Sequence, residues 1–157
     1  MELGLVLAIF GGAVAVVAAG IGSAIGVGMA AQASNGVMSE KPENFVSCLL
    51  LTALPGTQGI YGFLIGIILI MKLGMLAEPV TGLSISQGWS IFAACLPVGL
   101  AGLVSAIHQG KVCTTGVYMV AKQPADFVKP LILAVFVEFY AVLGLLISLL
   151  MLNGIKL

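Results

Sequence analysis

One carboxylate stands alone in a long apolar run. Glu138 is the only charged residue between Pro130 and Leu152, and a charge at membrane depth is costly enough to mark a functional site by default. The other acids, Glu2, Glu40, Glu43, Glu78 and Asp126, lie at the chain start or in polar breaks between apolar runs. A second polar cluster, Leu54-Pro55-Gly56-Thr57-Gln58-Gly59-Ile60-Tyr61-Gly62, interrupts another apolar run. Proline inside a helix removes a backbone donor and frees a carbonyl. At membrane depth a freed carbonyl must be met by protein or by a bound group. Leu54, Thr57, Gln58 and Tyr61 follow helical i, i+3, i+4, i+7 spacing and share one face. That face offers a carbonyl, a hydroxyl, an amide oxygen and a phenol.

Counting from two similar turns brings these groups to one depth. Gln109 lies 15 residues before Pro124 and Glu138 lies 14 after it, while Thr57 and Gln58 lie 15 and 16 after Pro42. One carboxylate with several neutral oxygens suits a hard cation. A divalent ion usually recruits more acids, so the expected ion is monovalent. A proton needs only the carboxylate, so the extra oxygens of Thr57, Gln58 and Gln109 favour Na⁺ over H⁺. The alternative is that the same polar groups are hydrogen-bond glue between helices. Lys111 lies two residues from Gln109, but residues two apart do not share a helix face, and its stem can snorkel away from Glu138.

The elements that must position these groups are membrane-length. Of 157 residues, 61% are hydrophobic and 8% charged, which excludes an ordinary soluble domain. Net charge is zero, and all six basic residues are lysines, so no nucleic-acid footprint is present. Cys48, Cys95 and Cys113 show neither metal nor disulfide spacing and read as small apolar filler. Four stretches nearly free of charge run from Leu3 to Val37, Phe45 to Met71, Pro79 to Gly110 and Pro130 to Leu152. Each exceeds the ~20 apolar residues that cross a bilayer. The first lacks the basic start of a signal peptide, and Glu2 has the wrong sign, so it is expected to stay in the mature fold.

The chain is a duplication. Sliding it by 82 positions places Gly20, Ser23, Ala24 and Ile25 on Gly102, Ser105, Ala106 and Ile107, and Pro42, Phe45, Val46 and Gly62 on Pro124, Phe127, Val128 and Gly144. Thirteen of 46 positions match without a gap from Gly20 to Ile65, so the expected fold is all-α, with two helical hairpins over residues 1–75 and 76–157. Equivalent helices point the same way, unlike the inverted repeats of many transporters. Each hairpin turns at a proline followed by an acid, Pro42-Glu43 or Pro124-Ala125-Asp126, which suits a helix start. Lys41, Lys111, Lys122 and Lys129 gather near these turns, against Lys72 and Lys156 on the other side. The positive-inside rule then makes the turns cytoplasmic and the termini external. The first and third spans carry small residues every fourth position: Gly20, Ala24, Gly28; Ala18, Gly22, Gly26, Ala30; and Gly102, Ala106, Gly110. Such stripes permit close backbone approach in a membrane, either within one chain or in a ring of copies.

The sequence resembles the membrane rotor-ring proteolipid of V-type ATPases, a duplicated four-helix protein of the K/c type. The likeness covers the chain and is most specific at Leu54–Gly62, at Ser105-Ala-Ile-His108-Gln109-Gly-Lys111 and at Val137-Glu138-Phe-Tyr140-Ala-Val-Leu-Gly144. It is nearest to the bacterial Na⁺-translocating form. The resemblance implies that Na⁺ is held by the Leu54 carbonyl, Thr57, Gln58, Gln109 and Glu138, with Tyr61 hydrogen-bonding the carboxylate. It also implies a ring of identical copies in a bacterial cell membrane, a stator subunit supplying an arginine, and central-stalk subunits at the cytoplasmic turns. ATP hydrolysis would take place in a separate head, since this chain has no P-loop and is expected to be non-catalytic. His108 departs from the family, which favours a small residue there. Gly56 stands where the repeat would place a second acid, fitting one ion per four helices. The alternatives are an H⁺-carrying ring of the same family and, from another class, a small glutamate-dependent exchanger. The exchanger would show an inverted repeat or an antiparallel dimer, and aromatic residues lining a roomy pocket.

Overall fold

In a computed structural model, which describes residues 2–77 and 82–157, the chain is built of helices. Helix α1 spans Leu3–Glu40. A short 3₁₀ turn, Pro42–Asn44, leads into α2, Phe45–Ala53; a second, Leu54–Gly56, separates α2 from α3, Thr57–Lys72. Helix α4 spans Ile85–Lys122, and after a third 3₁₀ turn, Pro124–Asp126, α5 spans Val128–Gly154. Helices α2 and α3 together make one membrane-length element, so four helical segments are long and apolar enough to cross a bilayer. The chain is a multi-pass membrane protein. The 38 residues of α1 reach about 57 Å at ~1.5 Å each, well beyond a ~30 Å hydrocarbon core, so its ends project from the membrane.

Helix α4 differs from its charge-free run. It begins at Ile85, after a Ser84–Gln87 capping box in which each residue's side chain accepts from the other's backbone N–H. The expected start at Pro79, like Glu78, lies outside the described residues. The helix continues past Gly110 to Lys122 because Lys111 is exposed and interrupts no packing. Pro97 does not break it either. The displaced N–H of Val98 donates to Ser148 Oγ on α5 at 3.1 Å, which keeps that donor satisfied.

The duplication is visible in the backbone. Lys41 (φ −135°, ψ 73°) and Gln123 (φ −137°, ψ 76°), 82 residues apart, take the same turn conformation. Both prolines open a helical turn with an acid in it, Glu43 or Asp126. A Cβ placed on Gly62 would meet Ala15 O at 2.5 Å and Ala19 Cβ at 2.7 Å. A Cβ on Gly144 would meet Pro97 O at 2.8 Å and Ala101 Cβ at 2.9 Å, which are the same two positions shifted by 82.

Helices α1 and α4 pack along their length through small residues. Gly22 abuts the main chain of Leu103, Gly26 the carbonyl of Ala106, and Gly110 the backbone of Gly26. The small-residue stripes therefore divide. Gly22, Gly26 and Ala30 are buried against the rest of the chain. Gly20 and Gly28 have nothing within 4 Å of where a Cβ would stand. Lysines tie the ends of the two halves together: Lys41 Nζ donates to Ala121 O and Lys72 Nζ to Leu152 O at 2.6 Å, each at a helix C-terminus where cations are favoured. The three cysteines are buried and unpaired.

Candidate functional site

The site forms where the break between α2 and α3 faces α4 and α5. At Leu54–Gly56 the helix tightens to a 3₁₀ turn around Pro55. The N–H of Gly59, just beyond the break, donates to Ser23 Oγ on α1 at 2.8 Å. The disturbed backbone is thus satisfied from inside the protein. The Leu54 carbonyl is not left free. It accepts from Thr57, both from the backbone N–H and from Oγ1 at 3.0 Å.

All six residues expected from the sequence fall into one hydrogen-bonded row. Thr57 Oγ1, bonded to the Leu54 carbonyl, lies 3.4 Å from Gln58 Oε1. Gln58 Nε2 donates to Gln109 Oε1 at 2.6 Å. Gln109 Nε2 donates to Glu138 Oε2 at 3.3 Å and to the Ala134 carbonyl at 3.1 Å. The other carboxylate oxygen, Oε1, accepts from the Tyr61 hydroxyl at 2.5 Å. Gln58 and Gln109 are fully buried, whereas Glu138, Tyr61 and Thr57 are half-buried. The carboxylate sits at the outer edge of this row, flanked on α5 by exposed Phe136, Phe139 and Tyr140.

Sequence reasoning missed the supports of this row. Ser105 Oγ accepts from Gln58 Nε2 at 3.4 Å and donates to the Val137 carbonyl at 2.8 Å, so it clamps α4 to α5 one turn from Gln109. Ser23 does the corresponding work on α1. The signal was present: Ser23 and Ser105 are paired by the 82-residue register. Lys111 is exposed and lines a surface groove with Met29, Gln32, Thr114, Thr115 and Tyr118.

Chemically the row offers one formal charge and neutral oxygens from a carbonyl, a hydroxyl and two amides. Among the described residues no three His, Cys, Asp or Glu side chains come together as a metal cluster. Hard cations take oxygen ligands of this kind.

The family model for the C subunit of ATP synthase matches the chain twice, over residues 10–69 and 92–151. The chain belongs to this ATP synthase C-subunit family. The two matches are themselves 82 residues apart, the spacing of the internal repeat. The chain is 43% identical over 152 residues to the V-type sodium ATPase subunit K of Enterococcus hirae, covering 96% of this chain and 94% of that protein. It is 38% identical over 151 residues to the A-type ATP synthase subunit K of Methanocaldococcus jannaschii, covering 96% of this chain and 64% of that protein. Against the 16 kDa proteolipid of the V-type proton ATPase of Homo sapiens, identity is 25% over 144 residues, 92% of this chain and 89% of that one.

Proposed function

We propose that this chain is the ion-carrying rotor-ring subunit of a V-type ATPase and that its cargo is Na⁺. The observation that carries the reading is the unbroken row from the Leu54 carbonyl to Glu138, with neutral oxygens beyond what a proton needs. The higher identity to the sodium ATPase subunit than to the proton ATPase proteolipid, 43% against 25%, points the same way.

In this mechanism the chain itself hydrolyses nothing. Identical copies form a ring, and each Glu138 takes an ion from a neighbouring stator subunit. Leu54, Thr57, Gln58, Gln109 and Glu138 supply the oxygens that replace the ion's hydration, and Tyr61 holds the carboxylate from its other oxygen. A loaded site is electrically neutral and can face lipid. An emptied one is a buried anion, which is costly without a partner, so it leaves the stator only after reloading. A stator arginine would offset that charge during exchange. Central-stalk subunits would engage the turns at Pro42 and Pro124, on the cytoplasmic side with the termini opposite, as the lysine distribution argues.

The test is ²²Na⁺ binding to the purified ring across pH. The expected result is one saturable Na⁺ per chain, weakening as pH falls, because protons compete for a ligand that must be deprotonated. No Na⁺ binding at alkaline pH would make the cargo the proton.

A further inference from the structure

The Gln58 amide can turn either its oxygen or its NH₂ towards the ion, and only the oxygen suits a cation. Both orientations fill the same space, so packing does not choose between them. The choice falls to the hydrogen-bond partners, and one of these has a fixed polarity of its own. Ser105 Oγ lies 2.8 Å from the Val137 carbonyl on α5. A carbonyl oxygen carries no hydrogen, so the serine must donate there. Its single proton is then used, and towards Gln58 it can only accept.

That polarity runs along the row. Gln58 Nε2 donates to Ser105 Oγ at 3.4 Å and to Gln109 Oε1 at 2.6 Å, which uses both hydrogens of the amide. Gln109 is oriented from the same helix, because its Nε2 meets the Ala134 carbonyl at 3.1 Å and its oxygen is left to accept from Gln58. The Gln58 oxygen therefore lies on the side of Thr57 Oγ1, 3.4 Å away. An inverted Gln58 amide would set its oxygen against two acceptors. Gln58 and Gln109 are fully buried and Ser105 is 4% exposed, so no water is at hand to relieve that clash, and an unmet buried polar group is costly.

We infer that Ser105 is a positioning residue that sets the ion preference of the site: it passes the polarity of the Val137 carbonyl to the Gln58 amide and so keeps an oxygen, not an NH₂, turned to the ion. Ser105 is not itself a ligand. An inverted Gln58 would remove one oxygen from the ion and aim hydrogens at a cation, yet leave the proton-binding oxygens of Glu138 as they are. Ser105 thus acts on the choice of Na⁺ over H⁺ and not on the carboxylate, which is bonded by Tyr61 and Gln109. Its counterpart by the 82-residue register, Ser23, has a different task, accepting from the main-chain N–H of Gly59 at 2.8 Å. The assignment rests on the Na⁺ reading above and names a residue that enforces it.

Equilibrium ²²Na⁺ binding to assembled rings at a fixed alkaline pH tests it. Ser105→Ala should lower Na⁺ affinity about fivefold, the effect of one net hydrogen bond. Ser105→Thr keeps the hydroxyl, and its added methyl can enter the open groove beside Val104, His108 and Tyr140, so its affinity should match the wild type. The deciding variant combines Ser105→Ala with Gln58→Ala. A serine that acts through the Gln58 amide has nothing to orient once that amide is gone, so the double variant should bind Na⁺ no more weakly than Gln58→Ala alone. Labelling of Glu138 by dicyclohexylcarbodiimide without Na⁺, followed against pH, should keep its wild-type midpoint in Ser105→Ala. Wild-type Na⁺ affinity in Ser105→Ala, an equal loss in Ser105→Thr, or a further loss of the same size in the double variant overturns the assignment. So does a shifted labelling midpoint or a Ser105→Ala chain that forms no ring, since either makes the serine a packing residue between α4 and α5. Those results leave the Na⁺ reading in place. A wild-type ring that binds no Na⁺ at alkaline pH removes that reading and this assignment with it.

Discussion

The two halves of this chain keep the same skeleton but have divided the chemistry between them. Gly62 and Gly144 meet equivalent positions, Ala15 with Ala19 and Pro97 with Ala101. Ser23 and Ser105 each steady a neighbouring span. The contrast lies where the spans face each other at mid-depth. In the second half Gln109 donates to Glu138 at 3.3 Å. The corresponding pair in the first half is Val27 and Gly56, where a Cβ on the glycine would lie 3.6 Å from Val27 Cγ2. The place of that hydrogen bond is preserved as an apolar contact. Conversely, the helix break at Pro55 belongs to the first half alone, since α5 runs through Val137 without interruption. Positions where backbones touch have little freedom, because any added side chain collides. Positions that face the space between spans were free to specialise, one half supplying the charge and the other most of the neutral oxygens.

The sharpest way to break this comparison is to make the second half as uncharged as the first. Glu138→Gln keeps the side-chain size and an oxygen that can accept from Tyr61 or Gln109, so packing and ring assembly should survive. Na⁺ binding and Na⁺-dependent ATPase activity of the whole complex should fall to background. Retained Na⁺-stimulated activity in an assembled Glu138→Gln complex would show that the charge of the second half is not what carries the ion.

Much of this division was legible in the sequence. The charge-free apolar runs led to the four spans, and the 82-residue register, which is independent of side-chain placement, led to the paired turns and the common depth of Thr57, Gln58, Gln109 and Glu138. Helix spacing put Leu54, Thr57, Gln58 and Tyr61 on one face, and the row of hydrogen bonds agrees. Three things were not legible. The length of α4 was hidden because Lys111 ends the charge-free run but not the helix. The occupation of the Leu54 carbonyl by Thr57 depends on a local 3₁₀ tightening that spacing does not reveal. The split between the stripes of α1, one buried and one open, depends on which face meets α4, and both stripes have the same composition.

A smaller effect separates the neutral oxygens from mere glue. Gln58→Ala and Gln109→Ala each remove an amide oxygen from the row while leaving Glu138. A buried group left unsatisfied costs about 1–3 kcal/mol, so Na⁺ affinity should fall roughly five- to 150-fold in each. Proton competition should persist in both. Equilibrium ²²Na⁺ binding at a fixed alkaline pH reads the difference, and unchanged affinity in both variants would reassign the glutamines to interhelical packing.

The smallest effect expected is at Tyr61, and it tests whether the first half also holds the charge it does not own. The Tyr61 hydroxyl lies 2.5 Å from Glu138 Oε1, on the opposite oxygen from the one Gln109 reaches. Tyr61→Phe keeps the ring and removes only that donor, so α3 should pack as before. The carboxylate then loses one of its two side-chain donors but none of the oxygens proposed to meet the ion. A single hydrogen bond contributes about 1 kcal/mol net, which corresponds to about a fivefold loss of Na⁺ affinity, the bottom of the range expected at either glutamine. Because the bond restrains the carboxylate rather than the ion, most of the change should appear as faster Na⁺ release, read by isotope exchange from the loaded ring. A loss in Tyr61→Phe as large as in Gln109→Ala would place the phenol among the ion's own ligands. No change in either affinity or release would mean that Gln109 alone orients the carboxylate, and that the first half contributes oxygens but no hold on the charge.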